Sequence, residues 1–200
     1  MELVDKIRNA LLEGRFDPGA SLSQSELAKT FGVSRIPVRD ALQILASEKL
    51  VEVVPGKGAK VVSVTADDLN ELFDLRLHLE CDLLTRAMEN LNASAVREAE
   101  YAFQKSSLEA GRPGWQSGDW LFHHTLYEPA SRARQVAITK ELRAGCSLYA
   151  GGYGNLADNT DKWIADHKAL LQAYSNGEAN EARTILERHI LEARDHLLAR

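Results

Sequence analysis

Four side chains are of types and spacings that suit a divalent metal. Asp119 and His123 lie four residues apart in a segment that reads as helix, on one stripe with Trp115, Phe122 and Leu126. His167 lies among Trp163, Ile164, Leu170, Leu171 and Tyr174, and His189 among Ala182, Ile185, Leu186 and Ala193. Three helices would thus each turn one imidazole inward. A buried imidazole is costly without a partner. Three imidazoles and a carboxylate meet that cost by binding a divalent ion, with zinc or nickel suited to the donors. Any one of these histidines taken alone is more often a hydrogen-bonded core residue; the coincidence of three carries the metal reading. His78 and His124 fall off their stripes and read as exposed, and His196 near the chain end is a substitute ligand. Arg76 interrupts the Leu69, Leu72, Leu79 and Leu83 face. A buried guanidinium needs an anion: Glu80, one turn on, or the carboxylate of a bound effector.

A second set of residues has the chemistry of DNA reading. Arg35, Arg39 and Gln43 share one helix face, rotated from the apolar stripe of Val38, Ala41, Leu42 and Leu45. The arginine fork matches the O6/N7 edge of guanine or a phosphate. Both arginines sit near the helix start, the part that enters the major groove. Ser34 at that start, where free N–H groups favour phosphate, and Ser25 on the preceding helix complete the face. Lys57, between Gly56 and Gly58, would approach the backbone or minor groove; its bland alternative is a solvated turn.

The elements that must hold these residues follow from the pattern. Residues 2–14 read as a helix with Val4, Ile7 and Leu11 inward, ended by Asp17-Pro18-Gly19. Ser23 to Glu26 forms a capping box for a second helix, and Gly32 supplies its left-handed exit. A third helix follows, capped by Ser34, with Pro37 in its first turn, where a missing N–H costs little. VEVVPGKGAKVVSV then reads as a hairpin. Helix-turn-helix followed by a hairpin is the winged-helix order. Beyond Thr65, which with Asp68 caps a long helix, everything reads as helix: near 66–90, 92–109, 114–127, 131–149, 160–175 and 178–198. The breaks fall at Gly111 to Gly114, Glu128-Pro129, Gly151 to Asn159 and Asn176-Gly177. The expected fold is therefore mainly α: a winged helix-turn-helix over 1–64 and a six-helix antiparallel bundle over 66–200.

The 200 residues carry a net charge of −5, with 44% apolar and 26% charged residues, the composition of an ordinary soluble protein. Residues 1–65 hold 9 Lys/Arg and 8 Asp/Glu, leaving 15 and 21 for the rest, so only the first third is near neutral. A generic nucleic-acid coat is excluded, whereas a local basic face is not. No apolar run is long enough to span a bilayer, and the N-terminus does not read as a signal peptide. Cys81 and Cys146 form no metal-type pair, so a cytoplasmic protein with reduced thiols is expected.

The string LSQSELAKTFGVSRIPVRDALQILASEKLVEVVPGKGAKV resembles the DNA-binding domain of the GntR family of bacterial regulators, with its "ELA" helix, "GVSR-x-PVR-E/D-AL" and glycine-containing wing. The resemblance implies that Arg35 and Arg39 contact operator DNA, with Gly56 to Gly58 near the minor groove. Some members carry an arginine where this chain has Ser25. Residues 66–200 resemble the FCD effector domain of the FadR-like subgroup, in its shorter, VanR-like branch. That family's metal pattern is an aspartate four residues before a histidine, then single histidines on two later helices. Asp119, His123, His167 and His189 match it. The resemblance implies a homodimeric regulator with a small carboxylic acid bound beside the metal; the expected outcome is a repressor that the acid releases from DNA. Residues 128–160 follow the family poorly, which leaves the acid unidentified. Two alternatives stand beside this reading: a metal-dependent enzyme fused to a DNA-binding module, and a repressor for which the metal itself is the signal. No acid–base pair or nucleophile motif supports an enzyme.

Overall fold

The computed structural model describes residues 2–112, 115–150 and 159–199. The break expected at Gly151 to Asn159 therefore lies almost wholly outside the described residues, as do Pro113 and Gly114. The chain divides into two compact units, Met1–Leu69 with Ala144–Asn155, and Asn70–Arg143 with Leu156–Arg200.

In the first unit, α1 (Leu3–Leu12), α2 (Gln24–Phe31) and α3 (Arg35–Ser47) pack with a three-stranded sheet. Ile7 and Leu11 of α1, Leu27 of α2, and Val38, Leu42 and Leu45 of α3 close one core, each at most 3% exposed. These are the stripes that helical spacing selects. Leu148 also joins this core. α1 is tied to the end of α3 by Arg8, whose Nε and Nη2 donate to the two carboxylate oxygens of Glu48 at 2.7 and 2.6 Å.

The helix ends differ in part from expectation. Gly32 takes the left-handed exit at φ 66°. Ser23 and Ser34 hold the N-cap positions, but neither side chain caps; Ser23 Oγ instead meets Ser25 Oγ at 2.8 Å. The capping box expected at Ser23 to Glu26 is thus not formed, because the serine hydroxyl is engaged by a second serine. Thr65 and Asp68 do form one: Thr65 N–H and Oγ1 donate to Asp68 Oδ2, and Asp68 N–H donates back to Thr65 Oγ1.

The hairpin β2 (Val51–Val54) and β3 (Gly58–Val61) is antiparallel, pairing Val51 with Val61 and Val54 with Gly58. A third strand, β1 (Ser21–Leu22), pairs with β3 through Ser21–Lys60 and Leu22–Ala59, giving the order β1-β3-β2. Two residues are too short to show alternation, so β1 was not legible in the sequence. Its position makes Gly58 obligatory. Gly58 has φ +125°, and a Cβ there would lie 2.1 Å from the Leu22 carbonyl oxygen.

The second half of the chain is the expected helical bundle: α4 (Ala66–Glu89), α5 (Ala93–Glu109), α6 (Trp115–Tyr127), α7 (Ala133–Tyr149), α8 (Thr160–Ser175) and α9 (Ala179–Leu198). A 3₁₀ turn at Glu128–Ala130 covers the predicted Glu128-Pro129 break. α5 and α6 approach closely where Gly118 faces Ser106; a Cβ at Gly118 would meet the Ser106 Cα at 3.1 Å. Phe103 of α5 packs edge-on to Phe122 of α6, ring centres 5.8 Å apart. α8 packs against both α5 and α9. These contacts bring the inward faces of α6, α8 and α9 together.

Candidate metal centre and DNA-reading face

α6 presents Asp119, His123 and Tyr127 at successive turns of one face. α8 brings His167 and α9 brings His189. His123, His167 and His189 are buried, while the Asp119 side chain is 22% exposed. One ligand atom from each of Asp119, His123, His167 and His189 lies within 4.8 Å of all the others. His123 Nε2 is 3.2 Å from His167 Nε2, and Asp119 Oδ1 is 3.6 and 3.4 Å from those two nitrogens. Trp115 stacks on His167 with ring centres 5.8 Å apart, and Phe122 lies 4.8 Å from the same ring. The structure thus brings together all four residues that spacing nominated. His124 is half-buried beside Trp120, less exposed than expected, and His78 is exposed.

The electrostatics keep Asp119, His123 and His167 in metal-ready forms. Burial, then the Arg143 charge and the other two imidazoles, pushes His123 far below the ordinary histidine value. Burial and the neighbouring His189 bring His167 down to about 3. Both rings are therefore neutral near pH 7. Burial pushes the Asp119 carboxyl up, but Arg143, His167 and His189 outweigh it and hold it below the usual range. Neutral nitrogen and ionised oxygen are the protonation states that metal ligation requires.

Around the four lies a buried polar layer that sequence reasoning did not assemble. Tyr127 Oη donates to Glu80 Oε2 at 2.7 Å and lies 3.3 Å from His123 Nδ1. Burial pushes Tyr127 up, so it keeps its proton, and Arg143 and Arg76 overcome burial to keep Glu80 ionised. The single hydroxyl proton goes to the carboxylate, so Oη accepts from His123 Nδ1–H. That leaves the His123 Nε2 lone pair facing the cluster. Arg143 of α7 bridges Glu80 and Asp119, with Nη1 2.6 Å from Glu80 Oε2 and Nη2 on Asp119 Oδ2. Arg76 Nε donates to Glu80 Oε1 at 2.7 Å, and its guanidinium lies over the Phe73 ring at 4.7 Å. Glu80, one of the two anions expected for Arg76, pairs with it here. Asp166 faces His189, with Oδ2 3.5 Å from Nδ1.

Some of this layer left a trace in the sequence. Tyr127 continues the Asp119–His123 spacing by one more turn, and Glu80 is the anion one turn from Arg76. Arg143 and Asp166 have no local signal: one reaches across from α7, and the other serves a histidine on the next helix.

Three imidazoles and a carboxylate, converging beside the Trp115 and Phe122 rings, fit a divalent transition metal. Two imidazole Nε2 atoms at 3.2 Å in a buried site oppose their lone pairs unless a proton or a cation lies between them.

In the first unit, Arg35, Arg39 and Gln43 are exposed on α3, with Ser34 exposed at its start. Arg39 pairs with Asp40 at 3.1 Å, both side chains open to solvent. Ser25 is exposed on α2, and Gly56 and Lys57 are exposed at the hairpin turn. Gly58 is buried under β1, so it shapes the wing from inside. Ile36 is 64% exposed between the two arginines.

Among the described residues, no helix is long and apolar enough to cross a membrane. Residues 1–61 match the family described as bacterial regulatory proteins, gntR family, and residues 71–192 match the FCD domain. The chain is 31% identical over 132 residues to an HTH-type transcriptional regulator in the TAR-I ttuE-ttuC' intergenic region of Agrobacterium vitis, covering 63% of this chain and 77% of that one. It is 38% identical over 145 residues to the gluconate operon transcriptional repressor of Bacillus licheniformis, covering 69% of this chain and 58% of that protein. Its fold is similar to that of E. coli McbR/YncC, at a TM-score of 0.84 and 23% identity over 98% of this chain and 94% of that one. With its winged helix and its helical bundle each matched, the chain belongs to the GntR family of DNA-binding transcription regulators, in the group that carries an FCD domain.

Proposed function

We propose that the protein represses transcription from an operator that it binds as a homodimer, and that a small organic acid held at a metal in the helical bundle relieves the repression. Asp119, His123, His167 and His189 would hold the ion, zinc or nickel by donor type. A bound divalent metal supplies a Lewis-acidic centre with coordination positions that a carboxylate can take. The observation that carries the reading is the convergence of those four ligand atoms within 4.8 Å in a buried, aromatic-walled site. Arg35, Arg39, Gln43, Ser34 and Ser25 would meet the major groove and its phosphates, with Gly56, Lys57 and the Gly58 backbone forming the wing. Arg76 and Arg143 supply positive charge near the cluster for an effector carboxylate, at the cost of loosening their hold on Glu80 and Asp119.

Regulation requires that the acid bind more tightly to the DNA-free protein than to the complex; without that difference the ligand shifts nothing. Operator retention, measured on metal-loaded protein with a panel of small carboxylic acids, tests the reading. Weakened retention with at least one acid, abolished in His123→Ala, is the expected result. A response to chelation alone, with no effect of any acid at full metal occupancy, would instead make the metal the signal.

A further inference from the structure

We propose that Asp166 is a positioning residue for His189: its carboxylate accepts the His189 Nδ1–H and thereby turns the Nε2 lone pair of that ring toward Asp119, His123 and His167. The inference rests on the metal reading above and assigns a part to a residue outside the ligand set.

Asp166 sits on α8 next to His167 in sequence, yet its partner is on α9. Its Oδ2 lies 3.5 Å from His189 Nδ1, and both residues are buried, 8% and 6% exposed. Among the described residues, neither of those two atoms has another hydrogen-bond partner. A buried carboxylate oxygen and a buried ring nitrogen without hydrogen-bond partners are each costly unless they satisfy one another. Asp166 is also outside the group of four whose ligand atoms converge. The Nδ1 edge of His189, which faces Asp166, is taken as the edge turned away from the other three ligands.

The carboxylate is fixed in place by cations. Arg188 Nη2 donates to Oδ1 at 3.2 Å, and Lys162, itself paired with Glu192, lies 3.6 Å from Oδ2. With the Arg188 and Lys162 cations on it, the carboxylate serves as a hydrogen-bond acceptor for the ring it faces. A neutral imidazole carries one N–H. An ionised acceptor at Nδ1 places that proton there and leaves Nε2 free to ligate. His123 is oriented in the same sense by Tyr127. Two of the three imidazoles are thus set by acceptors outside the ligand set.

Zinc titration calorimetry on the full-length, metal-free protein tests this, together with ¹⁵N NMR of the imidazole nitrogens. Asp166→Ala should weaken zinc binding about 10- to 100-fold. Asp166→Asn, whose amide oxygen still accepts the Nδ1–H, should keep most of the affinity. In the metal-free wild type, the proton of His189 should sit on Nδ1. Zinc binding by Asp166→Ala equal to that of the wild type would overturn the inference, as would equal losses in the alanine and asparagine variants. If Asp166→Ala does not fold, the wild-type spectrum decides: a His189 ring protonated on Nε2 overturns it. Failure of the wild type to take up zinc would overturn the metal reading itself, a result distinct from a wild type that loads and a variant that loads equally well.

Discussion

Tyr127 stands between a buried carboxylate and a buried imidazole, its Oη 2.7 Å from Glu80 Oε2 and 3.3 Å from His123 Nδ1. The hydroxyl has one proton to give, and it goes to Glu80. His123 must then donate from Nδ1. Tyr127→Phe removes both contacts while keeping the ring. Zinc affinity should fall by about 10- to 100-fold, the cost usual for an outer partner of a ligating histidine. Calorimetric titration checks this, and an unchanged dissociation constant would show that His123 is oriented without Tyr127.

Arg143 joins Glu80 to Asp119. Glu80 is fully buried, and Arg143 and Arg76 both pair with it. Arg143→Ala should destabilise the metal-free protein by about 3–5 kcal/mol, because it strands buried negative charge. Urea unfolding measures the change. A loss below about 1 kcal/mol, the range of exposed ion pairs, would mean that water replaces the guanidinium.

The two wing glycines differ in kind. Gly58 needs its φ of +125° and has the Leu22 carbonyl against it, whereas Gly56, at φ +75°, has open space around it. Gly58→Ala should cost about 3 kcal/mol or more, combining backbone strain with a clash. Gly56→Ala should cost about 1 kcal/mol from the positive φ alone. Thermal melts of the two variants give the comparison, and equal melting temperatures would contradict the β1–β3 packing described.

Arg39 is exposed on α3 and paired with the solvent-open Asp40. Arg39→Ala should lower operator affinity by about 1–3 kcal/mol and relax base preference at one position. Footprinting at fixed salt reads both effects. An unchanged footprint would remove Arg39 from the reading face.

Where the sequence was legible, one period dominated. The stripes through Ile7, Val38, Leu69 and Phe122 are regular, and most of their residues are buried, with Val4, Leu72 and Leu79 half-buried. Asp119 and His123 were visible because both ligands share one helix face. His167 and His189 were visible as polar interruptions of apolar stripes. What escaped was whatever depends on a partner distant in sequence. β1 exists only because β3 accepts it, and the need for Gly58 follows from that pairing. Arg143 and Asp166 find their partners on other helices, at separations no local pattern encodes. Ser23 shows the converse limit: a local capping pattern was present, and a neighbouring hydroxyl took the side chain.

The metal reading is tested most directly by zinc titration into metal-free full-length protein, with elemental analysis of the product. The account predicts uptake of one zinc per chain, and loss of that site in both His123→Ala and His167→Ala variants that remain folded. Absence of zinc uptake by the wild type, or equal uptake by the two variants, would contradict it.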